Sequence, residues 1–240
     1  MKTLLETILS RELHDPKVVI YKWLDEHGIK NYTINDKGEV DVDGRVVLTN
    51  NHLSEFPKYI QFNIVKRDFY CSHNELVSLR GCPREVGGKF DCSYNKLTTL
   101  EGSPEKVGGD FDCHNNNLRD LKGAPLKMKS FDCNYNELTS LEGAPVKVEG
   151  SFFCNNNVLT TLKGAPREVG GGFYCQRNNL KDLKGAPEKV GGWFHCENNK
   201  LISLEGAPKE AKYFDCENNT TKFTEENVRK VCKVEKNIYV

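Results

Sequence analysis

A phrase of about 21 residues, Phe-x-Cys-x-x-Asn-x-Leu-x-x-Leu-x-Gly-x-Pro-x-x-Val, recurs along the chain, and its opening residue falls at Phe69, Phe90, Phe111, Phe131, Phe152, Phe173, Phe194 and Phe214. A step of 20 or 21 residues is too long for coiled-coil heptads and too short for two-helix repeats. One unit of that length cannot bury its own apolar face. Its Phe, Cys and Leu must pack against the same residues of the next unit, which makes a stacked solenoid.

Within the unit, Phe and Cys at positions 1 and 3 alternate as a short strand does, with both side chains inward. An Asn follows at position 6 (Asn74, Asn95, Asn116, Asn136, Asn157, Asn178, Asn199, Asn219). There an inward carboxamide can hydrogen-bond the backbone groups freed where the chain leaves the strand. Leu at positions 8 and 11 carries the core around the bend. Gly-x-Pro, as in Gly102-Ser103-Pro104, then breaks any helix, and Gly pairs such as Gly108-Gly109 permit a tight return to the next strand. The other side of the solenoid is therefore expected to be extended or turn-like. About eight regular turns and one divergent turn predict a parallel sheet about 35–40 Å wide.

Eight of the ten cysteines occupy position 3: Cys71, Cys92, Cys113, Cys133, Cys154, Cys175, Cys196 and Cys216. A single file along the stack does not converge on one centre as zinc ligands do, so the ladder reads as small buried hydrophobes with reduced thiols.

These residues resemble the leucine-rich repeat, with Phe and Cys in two of its Leu places, over about residues 46–223. The short period and the Leu-x-x-Leu…Pro rhythm are similar to the short bacterial repeats of secreted effector proteins. The Cys-containing version, preceded by Tyr32-Thr33-Ile34-Asn35-Asp36 and Val40-Asp41-Val42-Asp43-Gly44, resembles uncharacterised repeat proteins of tailed bacteriophages. The resemblance implies a solenoid of the α/β superhelix class with a parallel sheet on its concave face. It also implies a protein partner, a bacterial host protein if the chain is phage-encoded. The ubiquitin-ligase domain that some such effectors carry has no counterpart in the short segment after Phe223.

Both ends read as caps, giving residues 1–45 as a helical cap with a small hairpin, 46–223 as the solenoid and 224–240 as a C-terminal capping helix. Leu4, Leu5, Ile8 and Leu9 form one apolar stripe. Asp15-Pro16 opens a second helix containing Val19, Ile20, Trp23 and Leu24, stopped by Gly28. Tyr32–Ile34, Asp36-Lys37-Gly38 and Val40–Val42 predict a hairpin. Thr224 is placed to cap a helix running to about Lys233, with Phe223 and Val228 as a hydrophobic staple.

Lys plus Arg (34) equals Asp plus Glu (34), which removes the excess charge that general nucleic-acid or anionic-membrane binding needs. No apolar run approaches the roughly 18 residues of a membrane span. Met1–Ser10 contains Glu6 and lacks a small-residue cleavage site, so a cytoplasmic protein is expected. Gly87-Gly88-Lys89-Phe90 lacks the spacing of a phosphate loop, and the six histidines share neither a repeat position nor a short metal-binding spacing. No catalytic residue, cofactor or metal is assigned.

With Phe and Cys inward, the residue between them points outward: Tyr70, Asp91, Asp112, Asp132, Phe153, Tyr174, His195 and Asp215. Trp193 and Tyr213 flank this row at its aromatic end, and His114, Asn134, Asn155, Gln176 and Glu197 form the next file. Strands about 4.8 Å apart make Asp91, Asp112 and Asp132 a column of like charges, each adjacent pair repelling by about 0.9 kcal/mol in water. Folding alone does not call for such a column. The row is therefore the expected partner surface, with rings as anchors and carboxylates selecting a basic complement. Two alternatives stand: a small-ligand binder or enzyme at the acidic–aromatic boundary near Asp132 and Phe153, and a self-associating structural protein. Mixed pairs such as Arg167-Glu168 and Glu188-Lys189 beside Pro read as a solvated outer side.

Overall fold

A computed structural model describes residues 16–240. The Leu4–Leu9 stripe lies outside the described residues. The main sheet has ten strands in sequence order, all parallel: Val46–Val47, Phe69–Tyr70, Phe90–Asp91, Phe111–Asp112, Phe131–Asp132, Phe152–Phe153, Phe173–Tyr174, Trp193–His195, Tyr213–Asp215 and Ile238–Tyr239. The register sets each repeat Phe opposite the next, as in Phe131 with Phe152 and Phe152 with Phe173. Ten strands span about 43 Å, wider than expected because the C-terminal segment supplies a further strand.

The repeat Phe side chains form a spine through the interior. All are fully buried, and successive ring centroids from Phe69 to Phe214 lie 5.1–5.8 Å apart. The cysteines beside them are free and buried. From Cys92 to Cys196 each thiol donates to the carbonyl of the outward residue one turn on, at 3.1–3.4 Å, the same carbonyl that accepts the cysteine's own backbone N–H. That second donation is something Ala or Val could not make. Burial pushes these thiols up in pKa, Cys216 to about 12.

The Asn file closes the turn. Asn157 Nδ2 donates to the carbonyls of Cys133 and Cys154, and its Oδ1 accepts the Leu138 N–H at 3.0 Å. The residue before each Asn is left-handed, with φ between 49° and 56° from His73 to Asn218. Asn tolerates this conformation, but Tyr94, Tyr135 and Arg177 hold it at a cost of about 1–2 kcal/mol each. The Gly pairs have a second reason besides the turn: a Cβ on Gly108 would collide with the Gly87 carbonyl of the preceding turn.

The opposite side is more regular than expected. Tyr32–Ile34, Val40–Val42, Phe62–Val65, Glu85–Val86 and Lys106–Val107 make one five-stranded sheet, and Lys147–Val148, Glu168–Val169, Lys189–Val190, Glu210–Ala211 and Lys233–Val234 make another. Between them only an isolated bridge joins Lys106 and Lys127. The turn from Phe111 to Phe131 carries Lys129-Ser130 ahead of its Phe, where the two preceding turns carry Gly87-Gly88 and Gly108-Gly109, and the ladder is interrupted there. Leu126 and Val146 beside the gap are 80% and 75% exposed, on a side otherwise laced by ion pairs such as Arg167–Glu188 at 2.9 Å.

At the N-terminal end a helix spans Pro16–Glu26 and turns off at Gly28 (φ +65°), with Ile20, Trp23 and Leu24 buried in the core. Tyr32–Ile34 pairs antiparallel with Val40–Val42. At the other end Thr224 and Asn227 make a capping box for the helix Glu225–Arg229, and Val228 is buried. That helix stops short of the expected Lys233. The chain instead returns to both sheets, because the exposed edges at Ala211 and Phe214 offer unpaired backbone groups. Phe214 N–H donates to Asn237 O, and Cys216 N–H to Tyr239 O. Among the described residues no helix is long and apolar enough to cross a membrane.

Candidate functional site

Two-residue strands in register carry the outward row, so the side-chain file follows the strand spacing. Its C-terminal half is a continuous pile of rings. Phe153 stacks on Tyr174 with centroids 4.6 Å apart and planes 12° apart, and Tyr174 on His195 at 5.1 Å and 17°. Trp193 lies 4.8 Å from His195 and 4.4 Å from Tyr213, again nearly parallel. Phe153, Tyr174, Trp193, His195 and Tyr213 are all partly exposed. The structure adds Tyr239, 37% exposed and 5.6 Å from Trp193. Sequence reasoning missed it because Ile238–Tyr239 lacks the Phe-x-Cys signature. Tyr70 sits at the far end of the row, among charged neighbours rather than rings; burial and Asp68 lift its phenol.

The acidic column differs from a bare run of like charges. Lys89 reaches across it, its Nζ 2.8 Å from Asp112 Oδ2 and 3.4 Å from Asp91 Oδ2, and His114 Nδ1 contacts Asp112 Oδ1. Burial alone would raise the Asp112 carboxyl, yet the His114 and Lys89 contacts outweigh it and hold it below its ordinary value. Burial also opposes the Lys89 charge, but the Asp112 hydrogen bond and the fields of both carboxylates raise it. The Asp112 contact likewise raises His114. The repulsion inferred from strand spacing is thus relieved internally at Asp91 and Asp112, leaving less free charge for a partner than the sequence implies.

Asp132 is the exception. Burial pushes its carboxyl to about 6, against only one backbone donor, the Asn134 N–H, and with Asp112 adding to the rise; His114 and Lys89 partly offset it. A folded-state value raised above 3.8 means that the protonated form is favoured by folding. Its stabilising contribution is therefore full below about pH 4 and lost as the pH rises through about 6. Asp132→Asn retains the shape and the acceptor oxygen, so at pH 7.5 it should stabilise the protein by about 1–3 kcal/mol. That gain should vanish toward pH 4 in urea unfolding. An unchanged or lower stability at pH 7.5 would refute the argument.

A second ring group escaped the sequence reading. Tyr94 stacks on His73 at 4.3 Å and 11° and meets His114 edge-on at 4.9 Å, while Tyr135, two turns beyond Tyr94, is half exposed. Their signal was a Tyr or His at the left-handed position that Asn fills elsewhere. The larger surface depressions lie away from the row: one of about 550 Å³ is lined by Val107, Leu126, Met128 and Val146, one of about 530 Å³ by Phe56, Ile60, Arg80 and Glu101, and one of about 440 Å³ by Leu204, Phe223 and Val231. None is lined by Asp132 or Phe153.

No protein-family model matches the chain, and no curated protein matches it. Among solved structures it is similar to YopM from Yersinia enterocolitica WA-314, at 16% identity and a TM-score of 0.49 over 81% of this chain. The match spans 65% of the YopM chain. What its own geometry shows is a parallel sheet in register, a Phe spine, and an Asn that closes every 20- or 21-residue turn. With those features the chain has the architecture of a leucine-rich-repeat solenoid.

Proposed function

We propose that this solenoid is a non-enzymatic recognition module that binds another protein on the outward face of its main sheet. The observation that carries the reading is the ring pile Phe153–Tyr174–His195–Trp193–Tyr213: rigid, partly exposed aromatics on a backbone that needs no reorganisation to present them. Tyr70 and Asp91, Asp112, Asp132 and Asp215 complete the face. The carboxylates tune association with a basic partner more than they supply affinity, since Lys89 already neutralises part of the column. The resemblance of the Cys repeat to those of tailed bacteriophages makes a bacterial host protein the partner class, met in the host cytoplasm, where ten free thiols stay reduced.

The test is affinity purification from bacterial lysate, followed by binding measurements on the captured protein. Trp193→Ala or Tyr174→Ala should weaken binding by about 2 kcal/mol or more, roughly 30-fold. Reversing Asp91 should mainly change the association rate and its salt dependence, and Arg167→Ala and Glu188→Ala on the other side should leave affinity unchanged. If the ring variants keep full affinity while the Arg167 or Glu188 variant loses it, recognition lies elsewhere.

A further inference from the structure

His195, Glu197 and Asp215 form a compact trio on the main sheet. His195 Nδ1 is 3.1 Å from Glu197 Oε2 and 3.6 Å from Asp215 Oδ2, with the three side chains only 15–20% exposed. One donor atom of each lies within 4.8 Å of the other two. Register builds the arrangement: His195 ends the strand Trp193–His195, Glu197 follows two residues beyond it, and Asp215 pairs with His195 on the next strand.

The same three lattice positions four turns earlier hold Asp112, His114 and Asp132, again one imidazole and two carboxylates. The two trios differ in what neutralises them. The Lys89 ammonium is already seated in the earlier one, 2.8 Å from Asp112. Among the described residues, Glu197 and Asp215 have no ion-pair partner other than His195. Two largely desolvated carboxylates with a single imidazole between them are short of positive charge.

A further observation marks the spot. Gln176 stands in the same file as Glu197, one strand earlier, and its buried Oε1 has no hydrogen-bond partner; the one other such side-chain atom among the described residues is Asn134 Oδ1, beside the earlier trio. Buried acceptors left open in this way call for a donor or an ion that the protein itself does not supply.

We propose that His195 Nδ1, Glu197 Oε2 and Asp215 Oδ2 form a binding site for a divalent transition ion of the Zn²⁺ class, with a fourth position for water or for a donor from a docked molecule. Zinc bonds of about 2.0–2.2 Å in tetrahedral geometry set donor atoms about 3.3–3.6 Å apart. The two separations from His195, 3.1 and 3.6 Å, already bracket that range, so only the two carboxylates need to close on each other. An imidazole donor and a three-ligand set favour Zn²⁺ over Mg²⁺ and Ca²⁺, which take six or more oxygens. The imidazole is also held in place, since its ring is stacked against both Tyr174 and Trp193. This site does not depend on the sheet face binding a protein.

Zn²⁺ titrated calorimetrically into the full-length, reduced protein should saturate at one equivalent. His195→Ala and Asp215→Asn should weaken binding roughly tenfold or more, while His114→Ala leaves it unchanged. The isosteric Glu197→Gln gives the same reading should His195→Ala fail to fold. Ni²⁺, a quencher of nearby indoles, should dim Trp193, whose ring is 4.8 Å from His195, and the response should disappear in Trp193→Phe. Three results would overturn the proposal: no saturable Zn²⁺ binding, binding that persists in both His195→Ala and Glu197→Gln, or a preference for Ca²⁺ or Mg²⁺ over Zn²⁺.

Discussion

Phe152→Ala should lower the unfolding free energy by about 3–5 kcal/mol. The ring is fully buried and sits in mid-stack, 5.3 Å from Phe131 and 5.6 Å from Phe173, so truncation removes two turn-to-turn contacts and leaves a cavity that neither neighbour can fill without distorting its own strand. A solenoid is held together by such nearest-neighbour interfaces. Hydrogen exchange should therefore quicken first in the turns of Phe131 and Phe173, while the ends stay protected. The outward neighbour supplies the control. Phe153→Ala removes a partly exposed ring and should reduce stability by no more than about 1–2 kcal/mol. Equal midpoints for Phe152→Ala and the unaltered protein in urea unfolding would mean that the spine does not couple the turns.

Asn157→Ala should destabilise by about 3–4 kcal/mol, a large effect for a polar side chain. Its two carbonyl partners would not be stranded, since Cys133 O keeps Asn136 Nδ2 and Cys154 O keeps Asn178 Nδ2. The Leu138 N–H is different. Asn157 Oδ1 is its acceptor at 3.0 Å in a buried position, and Ala leaves that donor open. Loss of the remaining hydrogen bonds and the vacated volume supply the rest. Asn157→Asp separates the two roles, because a carboxylate still accepts from Leu138 but faces the Cys133 and Cys154 carbonyls. Burial there raises the introduced carboxyl, so this variant should be unstable at pH 7 and recover as the pH falls and the acid donates to a carbonyl. If Asn157→Asp is as stable as the parent at pH 7, the Nδ2 donations contribute nothing.

The interior of this solenoid was legible because its chemistry repeats. Phe, Cys and Asn return at the same phase eight times and Leu seven, and each has one low-energy place in a turn of that length. The ring pile was legible for the same reason, since alternation along a strand sends the residue between Phe and Cys outward. Side chains with no repeat signature were not. Tyr94 and Tyr135 hide at a position defined by backbone conformation, with φ near 50°, not by residue type. Lys89 neutralises Asp112, its hydrogen-bond partner 23 residues away, and only strand register shows which carboxylate a long flexible side chain will reach.

The period, the inward residues, the Phe-x-Cys strands of the main sheet and the N-terminal helix and hairpin follow from the sequence alone, since local pattern and turn chemistry leave one arrangement open to each. Tertiary structure decided what depends on neighbours. It turned the Cys position into a thiol-to-carbonyl ladder, divided the opposite side into two sheets between Lys106–Val107 and Lys147–Val148, and drew residues 233–239 into strands because the last edges needed partners. It also gathered His195, Glu197 and Asp215, which follow no short motif, by laying two strands side by side. Short strands have little preference of their own, so the turn they stack on determines what their side chains meet.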